Sequence, residues 1–317
     1  MKQLRYSIRL LSCIVLSIAC SSGGDTSGPQ RHQLSGKLLY DFGEHIYQVD
    51  LATNSKTIYF DHNNYSLNGW DVSQDGKIRL ETEQIAGATD KVKFRLINTN
   101  DNSLIKEFEY KLVNGEDRNI AGLLSPDRSR ILIQPDFDHG IVIIDTDGNV
   151  MHHLPRVNDE ELTLGDKVRW LPGNGILFTF QDKYVLRSDP PYTSITPVKE
   201  MAYNEWGGLN VSRDGSKISL RIDKHIYLMN SDGSDLVQVT ESDRAEREAV
   251  FSPDGKNLLV AADYYPATFD EGKWILNVIP ANGQTYKVGN DPSQDVIPII
   301  AEGQNNAEPA SGTMLWR

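Results

Sequence analysis

Two side chains in this sequence are spaced so that they could do chemistry together. Asp136 and His139 lie three residues apart in one predicted loop. A carboxylate beside an imidazole can exchange a proton with a substrate or bind a metal ion. A single pair of this kind more often has a structural or solvated role. We therefore keep both as candidate ligand-binding residues and predict no catalytic residue and no metal site.

The sequence contains no familiar catalytic motif. The pattern Gly-x-Ser-x-Gly, which presents a hydrolase nucleophile, is absent, and so is the zinc-binding pattern His-Glu-x-x-His. Adjacent residues of a strand point to opposite faces, so His152 and His153 are poorly placed to bind the same metal ion. These observations favour a protein that is not an enzyme and uses no cofactor, and they leave the question of catalysis open.

Four aromatic residues form a second set of candidates. Tyr203 and Trp206 lie in one long predicted connection, 199–207, and Tyr264 and Tyr265 begin another. Aromatic side chains on such connections can stack on a sugar or anchor a protein partner. They can equally pack onto the strands beside them. We predict that these four residues contribute to ligand binding.

The overall composition restricts the class of protein that could carry these residues. The chain has 317 residues, with 32 basic and 44 acidic side chains and a net charge of −12. This composition excludes a collagen-like chain, a wholly disordered chain and a polytopic membrane protein. The negative charge argues against nucleic acid as a partner, because nucleic acids bind basic surfaces. Two cysteines are too few for a disulfide-stapled scaffold.

The N-terminal segment has the pattern of a secretory signal peptide. Lys2, Arg5 and Arg9 precede the apolar or small residues 10–19. As a helix, the apolar segment would rise about 15 Å, which is half of the hydrocarbon core of a membrane. We therefore expect residues 1–19 to direct secretion rather than to span a membrane.

The end of this segment resembles the signal of a bacterial lipoprotein. That family has small residues before a cysteine that becomes lipidated. Here Ala19 fits directly before Cys20, whereas Ser17 stands where the family usually has leucine. The resemblance implies that Cys20 carries lipid, that Ser21 directs the protein to the outer membrane, and that residues 20–35 form a lipidated, flexible tether. The alternative is ordinary secretion, in which this cysteine has no role.

One short unit recurs along the rest of the chain. A hairpin turn rich in Asp and Gly precedes an apolar run, and these turns start at residues 73, 125, 171, 212 and 252, which are 40 to 52 residues apart. Asp-Gly pairs supply the positive φ that tight hairpin turns require. Apolar runs such as 131–133 and 218–222 are strand-like. The sequence therefore predicts repeated antiparallel sheets.

A four-stranded sheet about every 40 to 50 residues is typical of a β-propeller blade. The N-terminal part supplies only three strands, at 36–41, 45–51 and 56–60, and 313–317 is a single strand without a sheet of its own. Joining these strands completes a sixth blade and removes two sheet edges. We predict an all-β, six-bladed β-propeller over residues 36–317, closed by one C-terminal strand beside three N-terminal strands.

The repeats also resemble a known group of propellers. The turn 252–256, with Phe251 before it, and the turn 230–235 are similar to the blades of TolB-like, WD-repeat-like propellers, and the resemblance covers most of residues 36–317. It implies the six-bladed fold and leaves the function open. Some propellers of this type are metal-dependent polysaccharide lyases, which makes a glycan-active enzyme the alternative function. TolB itself carries an additional N-terminal α/β domain in place of a short tether, so its role is not implied here.

The predicted propeller places the longest connections on one face, opposite the Asp-Gly turns. Long loops on a rigid scaffold usually carry binding sites. Acidic residues on this loop-rich face, such as Glu205, Glu246 and Glu248, would attract a cationic partner or form a solvated surface. We predict a monomeric, non-enzymatic binding module of the cell envelope that captures a protein or peptide partner on this face. The alternative hypotheses are that this face binds a glycan, or that the protein is a spacer whose loops bind nothing.

Overall fold

Almost all regular structure in this protein is β-strand. The computed structural model describes residues 34–62, 66–113, 119–133, 140–163, 165–265, 272–289 and 291–317. The helical structure within these ranges is one 3-10 turn at Pro172–Asn174. No helix in the described part of the chain is long and apolar enough to cross a membrane. The predicted all-β class is confirmed.

The first half of the chain forms three blades of a propeller. Blade 1 contains β1 (Lys37–Phe42), β2 (His45–Asp50) and β3 (Lys56–Asp61). Blade 2 contains β4 (Leu67–Val72), β5 (Ile78–Gln84), β6 (Lys91–Asn98) and β7 (Leu104–Lys111). Blade 3 contains β8 (Gly122–Leu124), β9 (Arg130–Ile133), β10 (Ile141–Asp145) and β11 (Val150–Leu154). A small hairpin follows, made of β12 (Arg156–Val157) and β13 (Glu160–Glu161).

The second half forms the other three blades. Blade 4 contains β14 (Val168–Trp170), β15 (Ile176–Phe180), β16 (Tyr184–Ser188) and β17 (Thr196–Glu200). Blade 5 contains β18 (Trp206–Val211), β19 (Lys217–Ile222), β20 (His225–Asn230) and β21 (Val237–Gln238). The short strand β22 (Thr240–Glu241) leads into blade 6, which contains β23 (Ala249–Phe251), β24 (Asn257–Tyr265) and β25 (Lys273–Pro280).

Four short strands complete the chain. The strand β26 (Tyr286–Lys287) pairs in parallel with β22. Both β27 (Ile297–Pro298) and β28 (Pro309–Ala310) pair with β25 at the outer side of blade 6. The last strand, β29 (Met314–Trp316), belongs to blade 1, where the order of strands is β29-β1-β2-β3. With this strand, blade 1 also has four strands.

The pairing of β29 with β1 closes the ring of blades. Residue Lys37 donates its N–H to the carbonyl of Arg317 at 2.6 Å, and Arg317 donates back at 2.9 Å. The buried indole of Trp316 donates to the carbonyl of Ser35 at 2.9 Å. Residue Gly36 has φ +93° beside this contact, and a Cβ there would lie 2.6 Å from the carbonyl oxygen of Arg317. The predicted six-bladed propeller and its closure are confirmed.

Serine and aspartate side chains hold the repeated hairpin turns. In four of them the serine hydroxyl donates to the carboxylate two residues later at 2.6 to 2.7 Å, from Ser73, Ser125, Ser212 and Ser252. The same hydroxyl accepts the N–H of the residue that begins the next strand, as Ser252 does from Asn257 at 2.9 Å. The hydroxyl hydrogen bond keeps the pKa of Asp214 and of Asp254 below the usual range. These turns share one geometry, which explains why the inner strands reverse direction at regular intervals along the chain.

Apolar packing joins each blade to the next. Six buried clusters lie at the six junctions between neighbouring blades. In β9, for example, Ile131 packs with Phe94 of blade 2, whereas Leu132 packs with Ile176 of blade 4. Successive side chains of a strand point to opposite faces, so each central strand serves two interfaces. This arrangement explains why several strands are apolar on both faces.

Candidate functional site

Four segments on the loop-rich face are held together by backbone hydrogen bonds. We define the loop platform as residues 201–205, 223–225, 242–248 and 263–265. Three backbone hydrogen bonds with N···O distances of 2.8 to 2.9 Å join it in series, from Asp223 to Glu205, from Glu246 to Lys224 and from Tyr264 to Ala245. Loops with internal hydrogen bonds lose less entropy when a ligand binds than free loops do. The platform is therefore a preorganised surface across blades 5 and 6.

A buried carboxylate fixes the centre of the platform. The side chain of Glu246 is fully buried and accepts hydrogen bonds from Thr240 Oγ1 at 3.0 Å and from Ser242 Oγ at 2.6 Å. His225 Nδ1 lies 2.9 Å from the Oε2 atom of Glu246. Burial raises the pKa of Glu246, and the hydrogen bonds from Ser242 and His225 oppose that rise in part. Glu246 was predicted from the sequence to lie on an acidic surface of the loop-rich face. In the structure its carboxylate is instead buried and hydrogen-bonded to residues of the platform and its neighbouring strands.

Two of the four predicted aromatic residues are exposed on the platform. Tyr203 is 40% exposed and Tyr265 is 52% exposed. The guanidinium carbon of Arg244 lies 4.4 Å from the ring centroid of Tyr265, which is a cation–π contact. The platform thus offers two accessible aromatic rings, of which one already carries a cation on its face.

The other two aromatic residues pack into the blades. Trp206 is the first residue of β18, is only 8% exposed, and donates its indole N–H to the carbonyl of Asp182. Tyr264 lies within β24 and packs against Trp274 at a ring-centroid distance of 6.2 Å. Both were predicted to be on loops. The strands extend further than the sequence indicated. Trp206 is therefore buried and Tyr264 is half-buried between blades, whereas Tyr265, at the end of β24, stays exposed.

The remaining candidates lie outside the described residues. These are Asp136 and His139, in the predicted loop of blade 3, and Cys20, in the N-terminal segment. Their assignments stay predictions. Within the ranges that the structure describes, no three or more His, Cys, Asp or Glu side chains are grouped so that they could hold a metal ion.

A second site, which the sequence did not suggest, lies along the axis of the propeller. The six inner strands surround a channel with a cavity volume of about 360 Å³. The penultimate residue of each inner strand lines it, and together these are Asp71, Leu123, Arg169, Asn210, Val250 and Leu315. Two of these residues, Asp71 and Arg169, are charged. A charge at the penultimate position of an inner strand could have indicated the channel, but it was not singled out from the sequence.

Asp71 links three blades at the wall of the channel. Its carboxylate accepts the backbone N–H groups of Val72 and of Leu124, both at 2.8 Å, and Arg317 Nη2 at 3.3 Å. Burial raises the pKa of Asp71, while Arg317 and the two N–H groups lower it in part. Arg317 also donates through Nε to the carbonyl of Val72 at 2.8 Å. These bonds tie blade 1 to blades 2 and 3.

Arg169 lines the same channel two blades away from Asp71, in blade 4. It donates through Nε to Asn210 Oδ1 of blade 5 at 3.0 Å, and through Nη1 to the carbonyl of Val168 at 3.0 Å. Both acceptors are neutral. Burial lowers the pKa of Arg169 from its usual value, which reports a guanidinium that has lost part of its hydration.

Comparison with known proteins gives similarity at the level of the fold. No protein-family model matches the sequence, and no curated protein matches it either. Among solved structures, a putative TolB from Agrobacterium tumefaciens superimposes with a TM-score of 0.56 at 14% identity, covering 79% of this chain and 86% of that one. TolB from Acinetobacter baumannii gives a TM-score of 0.55 at 16% identity, covering 88% and 67%. The structure of a nidogen/laminin complex gives 0.54 at 12% identity, covering 78% and 90%.

The fold is a TolB-like six-bladed β-propeller. The resemblance that the turns indicated is thereby confirmed for the architecture. Within this TolB-like propeller, the loop platform and the central channel are neighbouring sites that share Arg247 and Glu248. The first is exposed and aromatic, and the second is enclosed and charged.

Removing the buried carboxylate tests how the TolB-like propeller supports its platform. We expect Glu246→Ala to lower the free energy of unfolding in urea by about 3 kcal/mol, because it leaves buried polar partners without an acceptor. The matched control is Glu241→Ala, whose side chain is exposed and which should change stability by less than about 0.5 kcal/mol. Equal losses in both variants would show that Glu246 has no supporting role.

Proposed function

We propose that this protein is a non-enzymatic binding module of the cell envelope, which captures a protein or peptide partner on the loop platform. The observation that carries this proposal is the exposure of Tyr203, on a connection, and of Tyr265, at the end of β24, within segments that backbone hydrogen bonds join to one another. Exposed aromatic side chains on a rigid surface are typical anchors of protein interfaces. A preorganised surface also binds at a lower entropic cost.

The chemistry of the platform favours a protein over a sugar as the partner. The ring of Tyr265 already carries the guanidinium of Arg244, so an aromatic and a cationic group stand side by side. Tyrosine and arginine are enriched among the residues that dominate protein–protein binding. The propeller of similar fold in the nidogen/laminin complex belongs to an assembly of proteins, which supports the same choice. The metal-dependent glycan lyase stays a prediction from the sequence.

We also propose that the protein is anchored to the outer membrane by lipid on Cys20 and that it acts as a monomer. The lipoprotein-like residues around Cys20 support the anchor, and the similarity of fold to TolB supports an envelope location. Several acyl chains on one cysteine would hold the protein stably, since each buried CH₂ contributes about 0.8 kcal/mol. The propeller would then be tethered to the membrane through residues 20–35.

Photo-crosslinking in the native cells tests the binding surface. A photoreactive residue at position 224, on the platform, should give a discrete protein adduct, whereas one at position 256, on the opposite face, should give none. Adding Tyr203→Ala and Tyr265→Ala should reduce the adduct about tenfold or more, because each ring is an anchor. The matched control, Ile58→Ala with Leu104→Ala, removes two side chains of similar exposure elsewhere and should leave the adduct unchanged.

Two results would contradict the binding proposal. One is an equal yield of adduct from position 256, which would show that binding is not confined to the platform. The other is an adduct from position 224 that survives the loss of both tyrosines, which would show that the aromatic rings do not anchor the partner.

Metabolic labelling with a fatty acid tests the lipid anchor separately. The full chain should incorporate label and sediment with membranes, and Cys20→Ala should do neither, because the acylated thiol is gone. The control is Cys13→Ala, which removes the other cysteine and should keep the label. A labelled Cys20→Ala variant would contradict the assignment.

A further inference from the structure

The central channel has the size of a small-molecule site. Its cavity volume of about 360 Å³ falls at the lower end of the range of ligand pockets, which is about 300 to 1,000 Å³. Its wall is made of the six inner strands and of the residues directly before and after them, so most of the groups that line it are close to the hydrogen-bonded sheets. The channel is therefore preformed and suits a compact ligand.

The charge of the channel is opposite to the charge of the protein. The chain as a whole carries a net charge of −12. The channel is lined by five cationic side chains, which are Lys167, Arg169, Arg213, Arg247 and Arg317. It is lined by two acidic side chains, Asp71 and Glu248. An excess of positive charge in a confined, partly desolvated space attracts anions strongly.

The two carboxylates already have partners in the wall. Asp71 accepts two backbone N–H groups and Arg317, as described above. Glu248 accepts a hydrogen bond from Arg247 Nη1 at 2.6 Å. These contacts neutralise part of the positive charge and hold the guanidinium groups in place. They leave an excess of cations over anions in the channel.

The cations of the channel also face one another. Burial is the main cause that lowers the pKa of Arg169; the carboxylates of Glu248 and Asp71 oppose this effect, and the positive charge of Arg247 adds to it. Burial also lowers the pKa of Arg317; the carboxylate of Asp71 opposes this effect, and the positive charge of Arg213 adds to it. Like charges that are brought together in a region of low hydration repel each other. An anion between them would relieve this repulsion.

We propose that the central channel binds a small oxyanion, held by Arg169 together with Arg247 and Arg317. The ligand class follows from the guanidinium group, whose planar fork of N–H donors matches carboxylate and phosphate oxygens. The hydrogen bonds of Arg169 to Asn210 and to Val168 fix its orientation and use only part of its donors. Arg247 belongs both to the loop platform and to the channel, whereas Arg169 and Arg317 lie outside the platform, so variants of Arg169 test the channel separately from the proposed protein partner.

Isothermal titration of the full chain tests the proposal, with inorganic phosphate and succinate as separate probes in a low-salt HEPES buffer. At least one probe should bind saturably, and the preferred probe identifies the oxyanion as phosphate or carboxylate. Arg169→Gln should weaken this binding about tenfold, because it removes a charge-assisted hydrogen bond. The matched control, Arg187→Gln, lies in the same blade with an exposed side chain paired to Asp189, and it should bind as the native protein does.

A second variant keeps the test decisive if Arg169→Gln does not fold. Arg213 is exposed at the turn after β18, and Arg213→Gln should weaken binding about threefold through the loss of one nearby charge. The absence of saturable binding by the native protein for both probes would overturn the proposal. A loss of affinity in Arg187→Gln equal to that in Arg169→Gln would also overturn it, because the effect would then come from the net charge of the protein rather than from the channel.

Discussion

The structure depends on the pairing of the last strand of the chain with the first. Each blade buries apolar side chains on both of its faces, so each blade needs a neighbour on both sides. A linear array of six blades would expose one face at each end. The hydrogen bonds between Lys37 and Arg317, and the burial of Trp316 beside β1, remove both exposed faces at once. Closure is thus a condition for the stability of all six blades.

The same closure assembles the channel. The side chain of Arg317 is brought to Asp71 of blade 2, which in turn accepts the N–H of Leu124 in blade 3. The indole of Trp170 donates to the carbonyl of Leu123 at 2.9 Å and joins blade 4 to blade 3. Polar contacts between blades therefore form the wall of the channel. The platform is supported differently, by loop backbones and by the buried carboxylate of Glu246.

The sequence predicted the architecture because turns and closure have local signatures. Asp-Gly turns at regular intervals specify hairpins, and an isolated C-terminal strand completes an incomplete N-terminal sheet. The exposure of the four aromatic side chains was predicted less well. Trp206 and Tyr264 lie only a few residues from exposed Tyr203 and Tyr265, and a small error in a strand boundary decides whether a side chain is exposed or buried. The channel was not predicted, since its charged residues come together only when blades distant in sequence meet.

Hydrogen–deuterium exchange of the full chain tests ring closure most directly. Closure predicts that the amides of Leu315 and Arg317, which face β1, and those of residues 37–41 are protected as strongly as those of the central strand β9, because all of them would open only when the whole ring opens. Rapid exchange of Leu315 and Arg317, with β9 still protected, would contradict it. The six blades would then be stable without the pairing of β29 with β1, and ring closure would not be the interaction on which the fold depends.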